Sequence, residues 1–402
     1  MKNNIFHTQD LCFAQTCDAL ESSAEMEIYM KVVIAIDSFK GSMTSMEAGN
    51  AVKKGILAAK PDAEVVVNPL ADGGEGTVDA LIEGLGAKKI PVTVTGPLGE
   101  KVSCYYGFLE ETKSAVMEMA SAAGITLVTK KDPLRASTYG VGEMIADALK
   151  RGCKNFMIGI GGSATNDGGI GMLKALGFEF FDEDGNDVGE GAAALVKIEV
   201  IRTENKNPLL SGAKFQIACD VKNPLCGKQG ATYIFGPQKG VTEEQKEQVD
   251  EAMRHYADVT KESLDCDFAD CEGAGAAGGL GYAFLSYLAG ELIPGVELIL
   301  QATGLEEKMK NADVVVTGEG RLDAQTVMGK APAGVAALAK KYNAKVIAFA
   351  GSVAPEAKVC NRAGIDAFFP IVRGVTTLEE AMKKENAMEN IAATAEQVFR
   401  LL

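Results

Sequence analysis

The sequence predicts an α/β fold in which a parallel-sheet unit is assembled from discontinuous pieces of chain and a smaller mixed unit is inserted into it. Three observations predict this. Short apolar, β-branched runs alternate with helix-length segments over 32–67 and again from 296 to the C-terminus, which is the pattern of parallel βα units. Over 92–119 and 178–219, β-rich runs follow one another across turn signals, as antiparallel strands do. The length of 402 residues exceeds what one ordinary core holds, and an apolar fraction of 47% can fill two.

Residues 1–29 carry Asp10, Asp18, Glu21, Glu25 and Glu27 with no basic or apolar signal-like region and no strand pattern. They read as a disordered or artefactual extension, with a start-like Met30-Lys31 after them. A buried strand at 32–36 follows, then a polar loop at 37–43 and a helix opening at Thr44, where Thr44 and Glu47 have capping-box spacing. A strand at 65–67 leads to the glycine-rich loop 69–77 and a helix to Leu85. Strands at 92–94, 102–108 and 114–119 are separated by Gly96-Pro97-Leu98-Gly99 and Glu110-Glu111, so a meander is expected. A helix over 138–150 feeds a strand at 156–160, a loop at 161–169 and a helix at 170–176.

Strands then follow at 178–181, 187–188, 196–201 and 215–219, and a charged helix runs from Thr242 to about Lys261. The loop 273–279 opens an apolar helix to about Leu288. The rest alternates: helix 296–300, strand 313–317, loop 318–326, helix 331–341, strands 346–350 and 367–371, and a C-terminal helix 378–402. Grouped by pattern, 30–67, 120–178 and 256–402 form the parallel unit, while 68–119 and 179–255 form the insert, which would close over the carboxyl ends of the parallel strands.

A formal charge of -15 argues against nucleic-acid or anionic-membrane surfaces, which require clustered Lys and Arg. No apolar run is long enough to span a bilayer. Nine cysteines without CxxC pairs and only two histidines, His7 and His255, argue against structural zinc and a disulfide framework and point to the cytoplasm. His255 sits in a charged helical stretch and reads as solvated surface.

Four loops set acid, base or small polar groups beside glycine. In 161–169 the amides of Gly161, Gly162 and Ser163 precede a helix and could bind phosphate or carboxylate, with Asn166 and Asp167 at the rim. Asp37, Ser38 and Lys40 lie in a second loop at the end of the first strand; Asp72, Gly73, Gly74 and Glu75 form a third; Glu319, Arg321 and Asp323 interleave charges in a fourth. Each alone also reads as turn chemistry or a helix cap. Together they suit phosphoryl transfer, which needs positioning and charge compensation more than a nucleophile. No P-loop occurs, and Gly273, Gly275 and Gly278 match G-x-G-x-x-G by letter without a buried strand before them. The stretch ending in Gly279 still suits an anion at a helix N-terminus. A sensor of a phosphorylated metabolite, or an oxidoreductase using that loop, stays open on these residues alone.

DSFKGSMTS, PLADGGEGT, GIGGSATNDGG, the Asp-Val-x-Asn-Pro-Leu run at Asp220, GAGAAGGLG and TGEGRLDAQT resemble, in this order, the motifs of the bacterial type I glycerate kinases. The resemblance runs from Met30 to the C-terminus; the segment before Met30 departs from it. It implies a two-domain fold with a three-layer flavodoxin-like part and ATP-dependent phosphorylation of D-glycerate in the interdomain cleft, giving 2-phosphoglycerate in preference to 3-phosphoglycerate. For that reaction Asp72, whose loop begins the segment leading into the insert, is the expected base, with Asp37 or Asp167 as alternates, and Lys40, at the end of the first strand, compensates the transferred charge. Asp37, Ser38, Gly73, Gly74, Glu75, Gly161, Gly162, Ser163, Asn166 and Arg321 are expected to bind substrate or phosphate. Gly273, Gly275, Gly278 and Gly279 are expected at the nucleotide, and Asp220, Glu319 and Asp323 around Mg2+. A monomer or homodimer is expected.

Overall fold

The computed structural model describes residues 29–70 and 77–402. The extension before Tyr29 and the loop with Asp72, Gly73, Gly74 and Glu75 lie outside the described residues. The strands, in chain order, are β1 (Lys31–Ile36), β2 (Glu64–Pro69), β3 (Lys88–Thr95), β4 (Lys101–Leu109), β5 (Ser114–Glu118), β6 (Asn155–Gly159), β7 (Glu179–Phe181), β8 (Val200–Arg202), β9 (Lys214–Ala218), β10 (Glu291–Ile293), β11 (Val314–Leu322), β12 (Lys345–Val353) and β13 (Ala367–Pro370).

One sheet has the order β13-β12-β11-β1-β2 and is parallel throughout. Its strands are apolar on both faces because helices cover both. Val32, Ile34 and Ile36 pack with Ile56 and Ile391 from the helices Ser45–Ala59 and Lys384–Phe399. Val33 and Ala35 face the opposite layer, with Leu81 from Thr77–Leu85, Ile299 from Gly295–Ala302 and Val335 from Ala331–Lys340. This is the expected three-layer arrangement. The capping box also forms: Thr44 and Glu47 bond each other's backbone amides at 3.2 and 3.0 Å.

The second sheet, β10-β9-β6-β5-β4-β3, is parallel from β10 to β5 and antiparallel from β5 to β3, which is the expected meander. Here the expected grouping of the chain needs correction. β6, assigned by pattern to the first unit, pairs with β5 and β9, and β10 joins the same sheet. Both sheets use helix-linked parallel strands, so alternation alone does not reveal membership.

Four further elements differ from expectation. The loop at 318–326 is strand as far as Leu322, because Gly318, Glu319, Arg321 and Leu322 keep parallel register with β12. The C-terminal helix breaks at Lys383 into Leu378–Met382 and Lys384–Phe399. Asp187 makes only an isolated bridge to Phe181. A helix at Ala231–Lys239 carries Pro237 inside it, and that Gly-Pro pair hides it from a reading based on breakers. Among the described residues no helix is long and apolar enough to cross a membrane.

Candidate active site

β1 connects outward to β2 on one side, while β11, β12 and β13 lie on the other, so the strand order reverses between β1 and β11. Ligands in parallel sheets sit beyond the carboxyl ends of strands at such a point. The Asp37 amide donates to the Gly318 carbonyl at 2.9 Å, closing the sheet there, and a cavity of about 410 Å³ opens above it. Asp37, Ser38 and Lys40 enter this cavity from the end of β1, and Glu319, Arg321 and Asp323 from β11 and the residue after it. The fold therefore brings these two segments of chain together.

The carboxylates there are held by their own surroundings. Asp37 is buried and its Oδ1 accepts the Ser38 amide at 2.7 Å. Glu319, 7% exposed, accepts the Thr326 hydroxyl at 2.6 Å on Oε1, and Lys330 Nζ stands 3.4 Å from Oε2. Burial nevertheless pushes its carboxyl above the usual range. Asp323 caps the turn Ala324–Val327 through the Gln325 amide at 2.9 Å, and its Oδ2 is 3.6 Å from Arg321 Nε. Lys330, absent from the expected site, was detectable as a lysine after glycine ahead of an apolar helix. One wall of the cavity is apolar, built from Phe39, Ile371, Leu378 and Met382. Gly320 and Gly351 lie in its floor, where strand glycines let a ligand approach the backbone.

A second cavity, about 360 Å³, lies beyond the carboxyl ends of β6 and β9. Gly161, Gly162 and Ser163 line it together with Cys219, Asp220, Phe235, Lys239, Ala276 and Ala277. Asp220 Oδ1 accepts the Gly295 amide at 2.8 Å. Val296, the next residue, packs against Gly334 of the helix that begins just after Lys330, so a chain of contacts links the walls of the two cavities.

Several expected site residues turn out otherwise. Asp167 is fully buried and receives the Thr138 amide and hydroxyl, both at 2.8 Å, with the Gly169 and Gly171 amides at 3.2 and 3.3 Å. It ties the glycine loop to the helix Tyr139–Lys150 and does not line the cavity. Asn166 is also buried, donating to Thr232 at 3.0 Å. Gly273, Gly275, Gly278 and Gly279 are buried in packing: a Cβ on Gly275 would strike the Pro224 carbonyl, one on Gly278 the Thr165 carbonyl, and one on Gly279 would lie 2.7 Å from Gly168 Cα. They let two loops touch, and Ala276 and Ala277 between them reach the cavity. Asp220 faces a different cavity from Glu319 and Asp323, so the expected three-carboxylate cluster does not form. Among the described residues no group of three His, Cys, Asp or Glu could cage a metal. Two hard oxygen donors beside Lys and Arg do fit Mg2+ held partly by phosphate, since that ion takes one or two carboxylates and keeps other oxygens.

The glycerate kinase family model matches residues 32–402. The chain belongs to the glycerate kinase family. A glycerate kinase of Bacillus subtilis (strain 168) is 45% identical, covering 92% of this chain and 97% of its own. A glycerate 2-kinase of Escherichia coli (strain K12) is 45% identical over 91% and 98%. A crystal structure of a Salmonella typhimurium LT2 chain, provisionally named glycerate kinase 2, superposes with a TM-score of 0.85 at 44% identity, covering 92% of this chain and 97% of that one. Within this glycerate kinase fold the motifs read from the sequence thus divide between two cavities.

Proposed function

We propose that this chain transfers the γ-phosphoryl group of ATP to a hydroxyl of D-glycerate, giving 2-phosphoglycerate, in the cleft between two domains built on the two sheets. The observation that carries the reading is the gathering of Lys40, Arg321 and Lys330 with Glu319 and Asp323 at the strand reversal between β1 and β11. Three cations answer the charge of a polyphosphate, and the apolar wall of Phe39, Leu378 and Met382 suits a purine base. Glu319 and Asp323 would hold Mg2+, which neutralises developing charge on phosphate oxygens when bound.

No protein nucleophile is required, because the acceptor hydroxyl attacks directly. Lys40 and Arg321 orient the phosphates and stabilise the transferred group electrostatically. With Asp167 sealed in a hydrogen-bonded knot, the base falls to Asp72 or to Asp37, at the end of β1. The name of the Escherichia coli relative favours the 2-phosphorylated product. A coupled ADP-release assay with D-glycerate, followed by NMR of the product, tests the reading: absence of glycerate-dependent turnover sinks it, and a 3-phosphorylated product overturns the regiochemistry. Asp72→Asn and Asp37→Asn identify the base, since the true one should lose ~10²–10⁴ in kcat.

A further inference from the structure

We propose that the cavity at the ends of β6 and β9 recognises the carboxylate of the acceptor, and that Lys239, buried beneath the glycine loop, is the cation that answers it. This rests on the reading above that the acceptor is a hydroxy acid. Lys239 ends the helix Ala231–Lys239 and is 2% exposed, yet it lines the cavity. Its Nζ donates to a neutral partner, the Thr165 carbonyl, at 2.6 Å, and among the described residues it forms no ion pair. Asp167 lies near enough to favour the charge, but its oxygens serve Thr138, Gly169 and Gly171. An ammonium has three protons to donate, and among the described residues only the bond to Thr165 uses one.

The glycine loop supplies the remainder. The amides of Gly161, Gly162 and Ser163 have no acceptor among the described residues. Ser163 Oγ is buried without a partner among the described residues, although the residue lines the cavity. Gly162 takes the left-handed conformation, at φ +72°, of the kind that anion nests use. Buried polar groups without partners are costly, and a carboxylate would satisfy all of these at once.

Charge selects a carboxylate over a polyphosphate. Lys239 is the only cation lining this cavity among the described residues, Asp220 lies at its rim and Asp167 behind it. A monoanion asks for one cation, which Lys239 supplies, whereas a triphosphate would bring several negative charges to a cavity with a single lysine and two carboxylates near it. The other cavity, with three cations, is where the polyphosphate belongs. Burial also lowers the Lys239 pKa to about 7. The groups facing it are Asp167 from the glycine loop and Asp220 and Cys219 after β9; the buried Tyr256 hydroxyl lies near Asp167 on the far side. A carboxylate that needs the charged amine should therefore bind less well above that pH.

The test is calorimetric titration of wild type and Lys239→Met with D-glycerate and with its neutral amide, alongside an ATP analogue titrated separately. Methionine keeps the length and packing of the side chain. The expected result is a ~10–100-fold loss of D-glycerate affinity, unchanged affinity for the nucleotide analogue, and loss of the preference for acid over amide. In wild type, D-glycerate affinity should fall about tenfold per pH unit above about pH 7, and in the variant it should not. If circular dichroism shows Lys239→Met unfolded, Ser163→Ala, which removes one donor, should still weaken D-glycerate selectively over the amide. Loss of nucleotide affinity instead, or an undiminished preference for the acid, overturns the proposal. Because binding is read without turnover, a failed kinase assay would count against the proposed reaction and not against this site.

Discussion

Glu319 shows how the candidate site keeps a carboxylate where burial disfavours it. Its ionised form gains the Thr326 hydroxyl and the nearby Lys330 ammonium, yet desolvation outweighs both and raises its pKa. A group whose folded pKa lies above its unfolded value lends stability below the unfolded pKa and loses it as pH rises through the folded one. At neutral pH the ionised Glu319 therefore costs stability. Glu319→Gln should raise Tm at pH 7, with the gain shrinking as pH falls towards 4.5, the ordinary carboxyl value. The same change should weaken apparent Mg2+ affinity, by roughly 10–100-fold. Paired thermal melts and Mg2+ titrations of turnover check this, and a variant that loses stability while keeping the wild-type Mg2+ response would make Glu319 merely structural. Glu319 was legible in the sequence because its Gly-Glu-Gly-Arg setting is odd for any core. Lys239 was not: the Gly236-Pro237 pair hides the helix it ends, and only tertiary packing buries it.

At the level of elements, β11 carries the most consequence, because one strand serves both the sheet and the cavity. Glycine and charge at 318–321 suggested a loop, and the strand persists because register with β12 is a tertiary fact that local composition does not encode. Its two glycines have different work. A Cβ on Gly318 would strike the carbonyl oxygen of Phe349 on β12, whereas one on Gly320 would have no neighbour closer than Phe39 Cα at 3.9 Å, beside the cavity. Gly318→Ala is therefore expected to cost about 1–3 kcal/mol, seen as a lower Tm, as overpacking does. Gly320→Ala should melt like wild type and instead raise KM for one substrate. Equal melting of the two variants would mean that β11 yields more easily than its central place in the sheet implies. The Gly273 stretch teaches the converse lesson, since glycines that look like a phosphate loop by letter are spent on close packing between chain segments.

At the scale of the whole molecule, the strands were nearly all legible, but the sheet each joins was not, and that changes the expected mechanics. An insert closing over a crevice requires two domains that move freely on one another. The sheets instead share a layer. Val116 of β5 packs into the same cluster as Val33 and Ala35 of β1, while Gly295–Ala302 sends Ile299 into that cluster and Leu298 against Ala218 of β9. Two hydrogen bonds reinforce the junction: Gly295 to Asp220 at 2.8 Å, and the Val78 amide to Glu118 at the end of β5 at 3.1 Å. Sliding the sheets past one another would open apolar surface already removed from water. We therefore expect small-angle scattering to give a radius of gyration near 21 Å that moves by less than ~1 Å when ADP, Mg2+ and D-glycerate are added together. A larger contraction would show that the shared layer yields, and would restore closure of the insert as the step that brings acceptor and phosphate together. If the radius holds, specificity must come from the two cavities as they stand. ATP hydrolysis without D-glycerate should then be limited by water's weak hold in the acceptor cavity, and neutral glycerol should not rescue turnover, because it leaves Lys239 unmatched.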